Sequence, residues 1–134
     1  MSGCRNALLG VVVIGLLSGC QALNSCDECW WYNRTASHKL SKGVENYEDG
    51  NYIASVEALN NVLQTKLADR DDKVSAYKYI AFIHCVSGRE KMCYDAFRKA
   101  LLLNPNFELT PAEAGHPVWG PVFRSAKAKF KKIN

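Results

Sequence analysis

The chain between residues 74 and 105 carries apolar and small residues at steps of three and four, which is typical of the buried face of a helix. These residues form two stripes, namely Val74, Tyr77, Ile80, Ala81 and His84, and then Cys93, Ala96, Phe97, Ala100 and Leu101. Gly88 lies between the stripes, where a tight turn needs a residue that can adopt positive φ. The second stripe ends at Asn104, because the residue before Pro105 is excluded from the α region. The pattern predicts an antiparallel helical hairpin.

The residue types in this hairpin follow a fixed order from an aromatic residue to a closing proline. The order is Tyr77, Ala81, Gly88, Cys93, Phe97, Ala100 and Pro105. It resembles the tetratricopeptide repeat (TPR), whose signature combines aromatic and small residues and ends in alanine and proline. Small residues at two of these positions let the helices approach closely, and the aromatic rings fill the space beside them. The alternative is an unrelated helix pair with a well-packed core.

A second, weaker repeat occupies about residues 38–66. Its members take offsets around Gly50 that match those of the later repeat, and they are Gly43, Tyr47, Tyr52, Ser55, Leu59 and Val62. Gly43 and Ser55 correspond to the small pair. The repeat departs from the pattern because a lysine stands at the leading aromatic position and no proline closes it. The two turn glycines are 38 residues apart instead of about 34. We expect the additional residues in the charged run 68–72.

The periodicity changes again beyond Pro105. Residues 107–111 predict an extended or turn segment. A last helix is predicted near Pro121, which is tolerated in a first turn. Its apolar stripe is Trp119, Val122, Phe123, Ala126 and Phe130, and its basic residues are Arg124, Lys127, Lys129, Lys131 and Lys132. Repeat stacks end in an element with a polar outer face, so we interpret this helix as a cap. A surface for anionic lipid or an acidic partner is the alternative.

The N-terminal residues predict an export signal. Arg5 precedes an apolar run over residues 7–17, which is shorter than the about 20 residues that span a bilayer. The run ends in Leu-Ser-Gly-Cys, which resembles the lipobox of bacterial lipoproteins. The resemblance implies that residues 1–19 are a lipoprotein signal peptide and that Cys20 is lipidated and anchors the chain in a membrane. An ordinary secretory signal with a chance cysteine is the alternative.

The residues after Cys20 suggest a location and a tether. Position 21 is glutamine and not the aspartate that retains many lipoproteins in the inner membrane, so the resemblance implies the outer membrane, facing the periplasm. Residues 20–37 show no clean helical period and are interpreted as a lipid-anchored tether before a domain over 38–134. The Trp-Trp-Tyr run within the tether either meets the membrane–water boundary or contacts the domain.

The remaining cysteines predict two disulfides, because export places them in an oxidising compartment. Cys26 and Cys29 have CxxC spacing, which indicates a local disulfide, with thiol–disulfide catalysis or a zinc half-site as alternatives. In a hairpin that turns near Arg89, Cys85 and Cys93 are each four residues from the turn and face one another. The alternative for Cys93 is that it is only the small residue that the helix crossing requires.

We find no constellation in the sequence that indicates an enzyme, a metal or a cofactor. His38, His84 and His116 are scattered and lack metal-ligand spacing. Serines lack a GxSxG context, and glycines occur singly at turns rather than in a phosphate-binding loop. The formal net charge of +4, which becomes +3 without Arg5, does not favour nucleic acid as a partner. We therefore predict a protein that is not an enzyme and needs no cofactor.

The predicted fold is all-α, with two TPR-like hairpins and a C-terminal capping helix. The TPR resemblance implies a protein–protein interaction module, because stacked repeats are curved and their first helices line a concave groove. Outward positions of these helices are expected to contact the partner, and they are Asn46, Lys78, Tyr79 and His84. The ending from 105 to 127 is similar to TPR lipoproteins found with type VI secretion genes, which implies an assembly role in an envelope or secretion complex. The alternatives are a pilus or outer-membrane assembly factor, a structural envelope lipoprotein, and a redox protein that uses the CxxC pair.

Overall fold

The computed structural model describes residues 25–66 and 68–133, with side chains from 35 to 66 and from 68 to 132. Six helices follow one another, namely α1 (Ser25–Glu48), α2 (Tyr52–Gln64), α3 (Arg70–Val86), α4 (Glu90–Leu103), α5 (Pro111–Ala114) and α6 (Gly120–Ile133). These two ranges contain no strand, so the predicted all-α class is confirmed. The signal peptide and the lipidation site at Cys20 lie outside the described residues.

The hairpin predicted between residues 74 and 105 is formed by α3 and α4. Gly88 has φ of 72° in the turn, a conformation that L side chains rarely adopt. The second helix ends at Leu103, before Asn104 and Pro105. Cys85 and Cys93 form the predicted disulfide across the turn, with their Cα atoms 5.1 Å apart. Both the helix boundaries and the cross-link of this hairpin are therefore confirmed.

A second hairpin is formed by α1 and α2, whose turn contains Gly50 with φ of 76°. The predicted small pair lies where the two helices cross. A Cβ atom on Gly43 would lie 2.6 Å from Cδ2 of Leu59, and the Ser55 hydroxyl donates a 2.7 Å hydrogen bond to the carbonyl oxygen of Gly43. Close approach of the helices therefore depends on the missing side chain at position 43.

The start of α1 differs from the prediction for residues 20–37. The helix begins at Ser25, so the residues from 25 to 37 are helical and not an irregular tether. Ala36 is completely buried, and Leu40 and Tyr47 continue its stripe towards the turn. The aromatic and polar residues before position 35 conceal the helical period, and a helix that is already formed extends at little cost. The CxxC pair and the Trp-Trp-Tyr run lie outside the residues whose side chains the structure describes.

The charged run 68–72 also differs in part from the expected connection between repeats. Residues from Arg70 onwards form the first turn of α3, which leaves a link of five residues after Gln64. Asp71 and Asp72 lie in that first turn, where a negative charge complements the positive end of the helix dipole. The run therefore begins a helix instead of lengthening a loop.

The C-terminal region contains a short helix that the sequence pattern did not predict. The hydroxyl of Thr110 accepts from the backbone N–H of Glu113, whose carboxylate accepts from the N–H of Thr110, and this capping box begins α5. The predicted last helix is α6, with Pro121 in its first turn. Its apolar face contacts α4, and the ring of Phe123 lies 5.1 Å from that of Phe97.

Aromatic rings from α3, α4 and the C-terminal region meet in one core around Phe82. Phe82 is 2% exposed and stacks on Trp119 with a ring-centroid distance of 4.3 Å. Phe97 and Tyr79 lie edge-on to the same ring at 6.0 and 5.9 Å. The two predicted stripes on this hairpin did not include Phe82, because it lies on a third face of α3. The C-terminal region is thus joined to the centre of the helical fold.

Candidate functional site

Helix α3 presents two different surfaces, and the four predicted partner-binding residues do not lie together on either. Lys78 and Tyr79 lie on a side of α3 that the C-terminal region contacts. His84 lies on another side, together with Tyr77 and Ile80, and faces a groove. Asn46 belongs to α1, where its side-chain amide donates a 2.9 Å hydrogen bond to the carbonyl oxygen of Lys42.

The first side of α3 is called the covered face here and consists of Lys78, Tyr79 and Phe82. The Nζ atom of Lys78 lies 2.7 Å from Oε1 of Glu113, in the short helix α5. The side chains of this ion pair are only 17% and 21% exposed. Lys78 Nζ also lies 4.6 Å above the ring of Tyr79, which is a cation–π contact. Lys78 is therefore already paired within the chain.

Burial alone raises the pKa of Glu113, because it disfavours the charged carboxylate. Hydrogen bonds from Lys78 and from the backbone and side chain of Thr110 outweigh this effect, and the pKa is lowered overall. Glu113 is therefore a carboxylate that needs these donors. The covered face holds a specific electrostatic contact rather than a vacant binding site.

The covered face is closed by residues 107–119, which we call the covering segment. Trp119 stacks on Phe82, and its indole N–H donates a 2.9 Å hydrogen bond to the carbonyl oxygen of Glu113. Lys127 of α6 binds the other end of the segment through the carboxylate of Glu108 and the carbonyl oxygen of Phe107. The segment is thus attached to α3 through Trp119 and to α6 through Lys127.

The ring of Tyr79 contacts one aromatic ring from α1 and one from its own helix α3. Its ring lies 5.2 Å from that of Tyr47 on α1 and 5.9 Å from that of Phe82. Burial, followed by the neighbouring Tyr52 and Tyr79, raises the pKa of Tyr47, so the phenol stays neutral at physiological pH. These contacts make Tyr79 part of the packing between α1 and α3.

The second side of α3 forms the floor of an open groove of about 670 Å³ between α2 and α4. Its lining from α2 is Val56, Asn60, Leu63 and Gln64; from α3 it is Tyr77, Ile80 and His84; and from α4 and the turn before it, Arg89, Met92, Asp95, Ala96 and Lys99. A further cavity of about 220 Å³ continues it past Tyr52 and Ile53. The two cavities share Val56, His84 and Arg89, so they form one groove.

His84 has a polar atom in this groove that is not satisfied within the protein. Its Nδ1 is buried and has no hydrogen-bond partner among the residues that the structure describes. Burial lowers the pKa of His84, and the positive charges of Arg89 and Lys99 lower it further. The imidazole is consequently neutral at pH 7, and because Nδ1 is enclosed, Nε2 is the nitrogen left to a ligand that enters the groove.

The rim of the groove exposes large apolar side chains. Ile53 is 87% exposed and Met92 is 48% exposed, on opposite walls. The predicted stripes omitted both residues, because they point away from the core. The signal that reveals them is an apolar residue at a solvent-facing helical position, which becomes informative only when the groove beside it is known.

The disulfide fixes the geometry of the groove at its floor. Cys85 follows His84 directly, and Cys93 follows Met92, so the bond joins the floor to the α4 wall. A covalent link restricts the relative motion of these two helix ends. The cross-link that the hairpin pattern predicted therefore limits the relative motion of the groove floor and its α4 wall.

The described side chains contain no group of three or more His, Cys, Asp or Glu residues that could hold a metal ion. Among the described residues, no helix is both long and apolar enough to cross a membrane. Comparisons with protein-family models, with curated proteins and with solved structures found no match. The groove, the covered face, the TPR-like pattern and the lipobox-like sequence are therefore the features on which a functional proposal rests.

Proposed function

We propose that this protein is a lipid-anchored, TPR-like interaction module that helps to assemble a bacterial envelope complex. The observation that carries the proposal is the open groove between α2 and α4, whose rim exposes Ile53 and Met92. Exposed apolar residues beside a preformed groove are typical of surfaces that bind another protein. Because its floor contains a single histidine and no nucleophile–base pair, the groove favours binding over catalysis.

Three features of the helical hairpins support the TPR-like interpretation. Both turns contain a glycine with positive φ, at Gly50 and Gly88. The small residues Gly43 and Cys93 are buried at the helix crossings, as the repeat pattern requires. The C-terminal α6 contacts α4 and exposes basic residues, as a terminal cap does.

The anchor and the location rest on the first residues of the sequence. The Leu-Ser-Gly-Cys sequence that ends at Cys20 supports lipidation, and Gln21 supports the outer membrane, facing the periplasm. The disulfide between Cys85 and Cys93 supports an oxidising compartment, since such bonds are rare in the cytosol. The similarity of the C-terminal region to TPR lipoproteins of type VI secretion makes that machine our first candidate complex.

We place the proposed partner site away from Lys78 and Tyr79. Those side chains already bind Glu113 and Tyr47, so a partner would have to displace the covering segment to reach them. His84 remains in the site, because it lies on the floor of the open groove. We therefore assign partner binding to the groove and a structural role to the covered face.

The anchor is tested by fatty-acid labelling of the wild type and of Cys20→Ser in a bacterium that processes lipoproteins. Label on the wild type alone is expected. Equal label on both proteins would contradict lipidation at this cysteine. This experiment addresses the anchor and leaves the groove untouched.

The groove is tested by affinity capture from the envelope of the producing bacterium with an Ile53→Glu and Met92→Glu double variant. We expect the double variant to lose the partners that the wild type captures, because two charges would be buried in an apolar contact. The matched control is Leu102→Glu, an apolar residue that is 61% exposed on α4 and does not line the groove. Loss in both variants, or in neither, would refute the assignment.

A further inference from the structure

We propose that the groove binds an amphipathic helix of a partner protein that places an acidic side chain between His84 and Arg89. This inference rests on the proposed function and specifies the chemistry of the partner. It follows from the length of the groove, the exposed apolar residues on its walls, and the distribution of charge along it.

The dimensions of the groove fit a short helix. The α2 wall extends over eleven residue steps from Ile53 to Gln64, which is about 16 Å at 1.5 Å per residue. A helix of about three turns has this length. The walls and floor are helices, and the described chain offers no strand edge to an extended segment. A helical ligand satisfies its own backbone hydrogen bonds and is therefore favoured.

The α2 and α4 walls of the groove supply apolar side chains that a ligand helix can contact. Ile53 and Met92 are exposed on opposite rims, and Ile80 and Ala96 are buried between them. A ligand helix with apolar residues at positions i, i+3, i+4 and i+7 would cover both rims at once. Burial of the exposed Ile53 side chain removes apolar area from water, which drives association.

The charged residues that line the groove determine which polar side chain of a ligand it favours. The α2 wall carries no charged residue, and the α3 floor has only the phenol of Tyr77 beside His84. On the α4 side the charged groups are Arg89, Asp95 and Lys99. Asp95 lies one turn before Lys99 and offsets its charge at that end of the groove. Neither Arg89 nor Lys99 forms an ion pair with the side chains that the structure describes.

The uncompensated cation is therefore Arg89, and it lines both cavities together with His84. The imidazole of His84 lines the same end of the groove, and because its Nδ1 is buried, Nε2 is the nitrogen that meets a ligand there. A carboxylate placed there accepts hydrogen bonds from the guanidinium and from an imidazole N–H. An ammonium group would instead meet the positive charge of Arg89. The site is thus selective for an acidic ligand residue.

A carboxylate beside His84 favours the protonated imidazole and raises its pKa in the complex above its value in the free protein. Binding then takes up a proton, so affinity rises as the pH falls from 8 to 6. The other titratable or charged groups that line the groove beside His84 are Tyr77, Arg89, Asp95 and Lys99.

The test uses two synthetic helical peptides of about 12 residues with the same leucine face. One carries glutamates beside the leucines, and the other carries lysines at the same positions. Fluorescence anisotropy measures their binding to the chain with Cys20→Ser and with the Cys85–Cys93 disulfide intact. We expect the glutamate peptide to bind at least about tenfold more tightly, as a charge-assisted hydrogen bond contributes in a partly buried site.

Two variants make the test specific. Arg89→Glu is expected to reverse the preference, whereas Arg98→Glu, an exposed position of α4 outside the groove, keeps it. His84→Gln is expected to retain the glutamate preference and to lose the increase in affinity between pH 8 and pH 6. Circular dichroism of each variant verifies that the helices are intact.

The proposal is overturned if the glutamate peptide binds no more tightly than the lysine peptide, including the case in which neither binds. It is also overturned if Arg98→Glu alters the preference as much as Arg89→Glu does. These results leave the proposed function separately testable, because the capture experiment with Ile53 and Met92 does not depend on ligand charge. Retained capture specificity with no peptide preference would mean that the groove binds a partner of other chemistry.

Discussion

Each side of α3 carries a polar side chain, but only one of the two is fully paired among the residues that the structure describes. Lys78 on the covered face and His84 in the groove are both polar groups on a largely buried helix. Lys78 is satisfied by Glu113 at 2.7 Å, whereas the Nδ1 of His84 has no partner among the described residues. Buried polar groups are normally satisfied within the protein. The Nδ1 of His84 is an exception, and it lies on the side of α3 to which we assign partner binding.

The comparison also shows how the two helical hairpins in the described part of the chain complete their core. Two stacked units bury limited area on their own, and the first helices would leave aromatic residues exposed. The covering segment closes this side by placing Trp119 on Phe82. The opposite side has no such segment among the described residues, and the groove remains open there. A surface that the chain covers itself is unavailable to a partner.

The largest effect on the free energy of unfolding is expected from removal of Trp119, whose ring packs the covering segment on α3. Trp119→Ala should lower the free energy of unfolding by about 3–5 kcal/mol, because it deletes a buried ring and leaves a cavity beside Phe82. Urea denaturation measures the change. The neighbouring Val118, which is 44% exposed, supplies the control, and Val118→Ala should change stability by less than about 0.5 kcal/mol. Similar effects of the two substitutions would contradict the packing role.

The next largest effect on stability is expected from loss of the disulfide beside the groove. The Cys85→Ala and Cys93→Ala double variant should lose about 2–3 kcal/mol in the loop-entropy model, because the bond closes a loop of eight residue steps. Alanine preserves the small residue that the helix crossing needs at position 93. Thermal unfolding with and without a reductant measures the loss. If the reductant lowers the melting temperature of the double variant as much as that of the wild type, the disulfide is not the cause.

Lys78→Met tests how much the ion pair stabilises the covered face, because it leaves the partly buried carboxylate of Glu113 without its cation. We expect a loss of about 1–2 kcal/mol at pH 7. The lowered pKa of Glu113 contributes stability above its ordinary value near 4.5, and this contribution is lost as the pH falls through the lowered value. The difference between wild type and variant should therefore shrink below about pH 4.5.

The matched control for Lys78 is the exposed pair of Lys42 and Glu45, whose side chains are 55% and 59% exposed. Lys42→Met should change stability by less than about 0.5 kcal/mol at any pH, because solvent screens an exposed pair. Chemical denaturation from pH 3 to pH 8 compares the two variants. A pH-independent effect of Lys78→Met would show that the ion pair with Glu113 does not stabilise the covered face.

The smallest effect on stability is expected on the groove side. His84→Leu removes the unsatisfied Nδ1 and should leave stability unchanged or raise it by up to about 1 kcal/mol. The lowered pKa of His84 means that the unfolded chain binds protons more readily, so wild-type stability falls as the pH decreases below about 6.5. The variant should lack this decrease. A marked destabilisation at pH 7 would mean that His84 is a structural residue.

Local signals made much of the fold predictable. Gly50, Gly88 and Pro105 mark turns and a helix end through their own backbone restrictions, and the disulfide follows from equal distances to a turn. The helix α5 was not predicted, because Pro111 indicated an extended segment. The capping-box spacing of Thr110 and Glu113 was the signal that could have revealed it.

The covered face and the groove could not be predicted from the sequence in the same way. The contact between Lys78 and Glu113 joins residues 35 positions apart, and no periodic pattern relates them. The groove likewise depends on how α2 and α4 are placed relative to α3. Ile53 looks like an isolated exposed residue until that arrangement is known. Tertiary placement therefore decided which of the predicted site residues remain accessible.

The central claim is that partners meet the groove and not the covered face. It is tested most directly by photo-cross-linking in the producing cell, with a photoreactive amino acid at Met92 or at Val118. Both residues are apolar and similarly exposed, at 48% and 44%, and Val118 belongs to the covering segment. The account predicts protein adducts from position 92 and none from position 118. Adducts from 118, with none from 92, would place the partner on the covering segment instead of the groove and contradict the account.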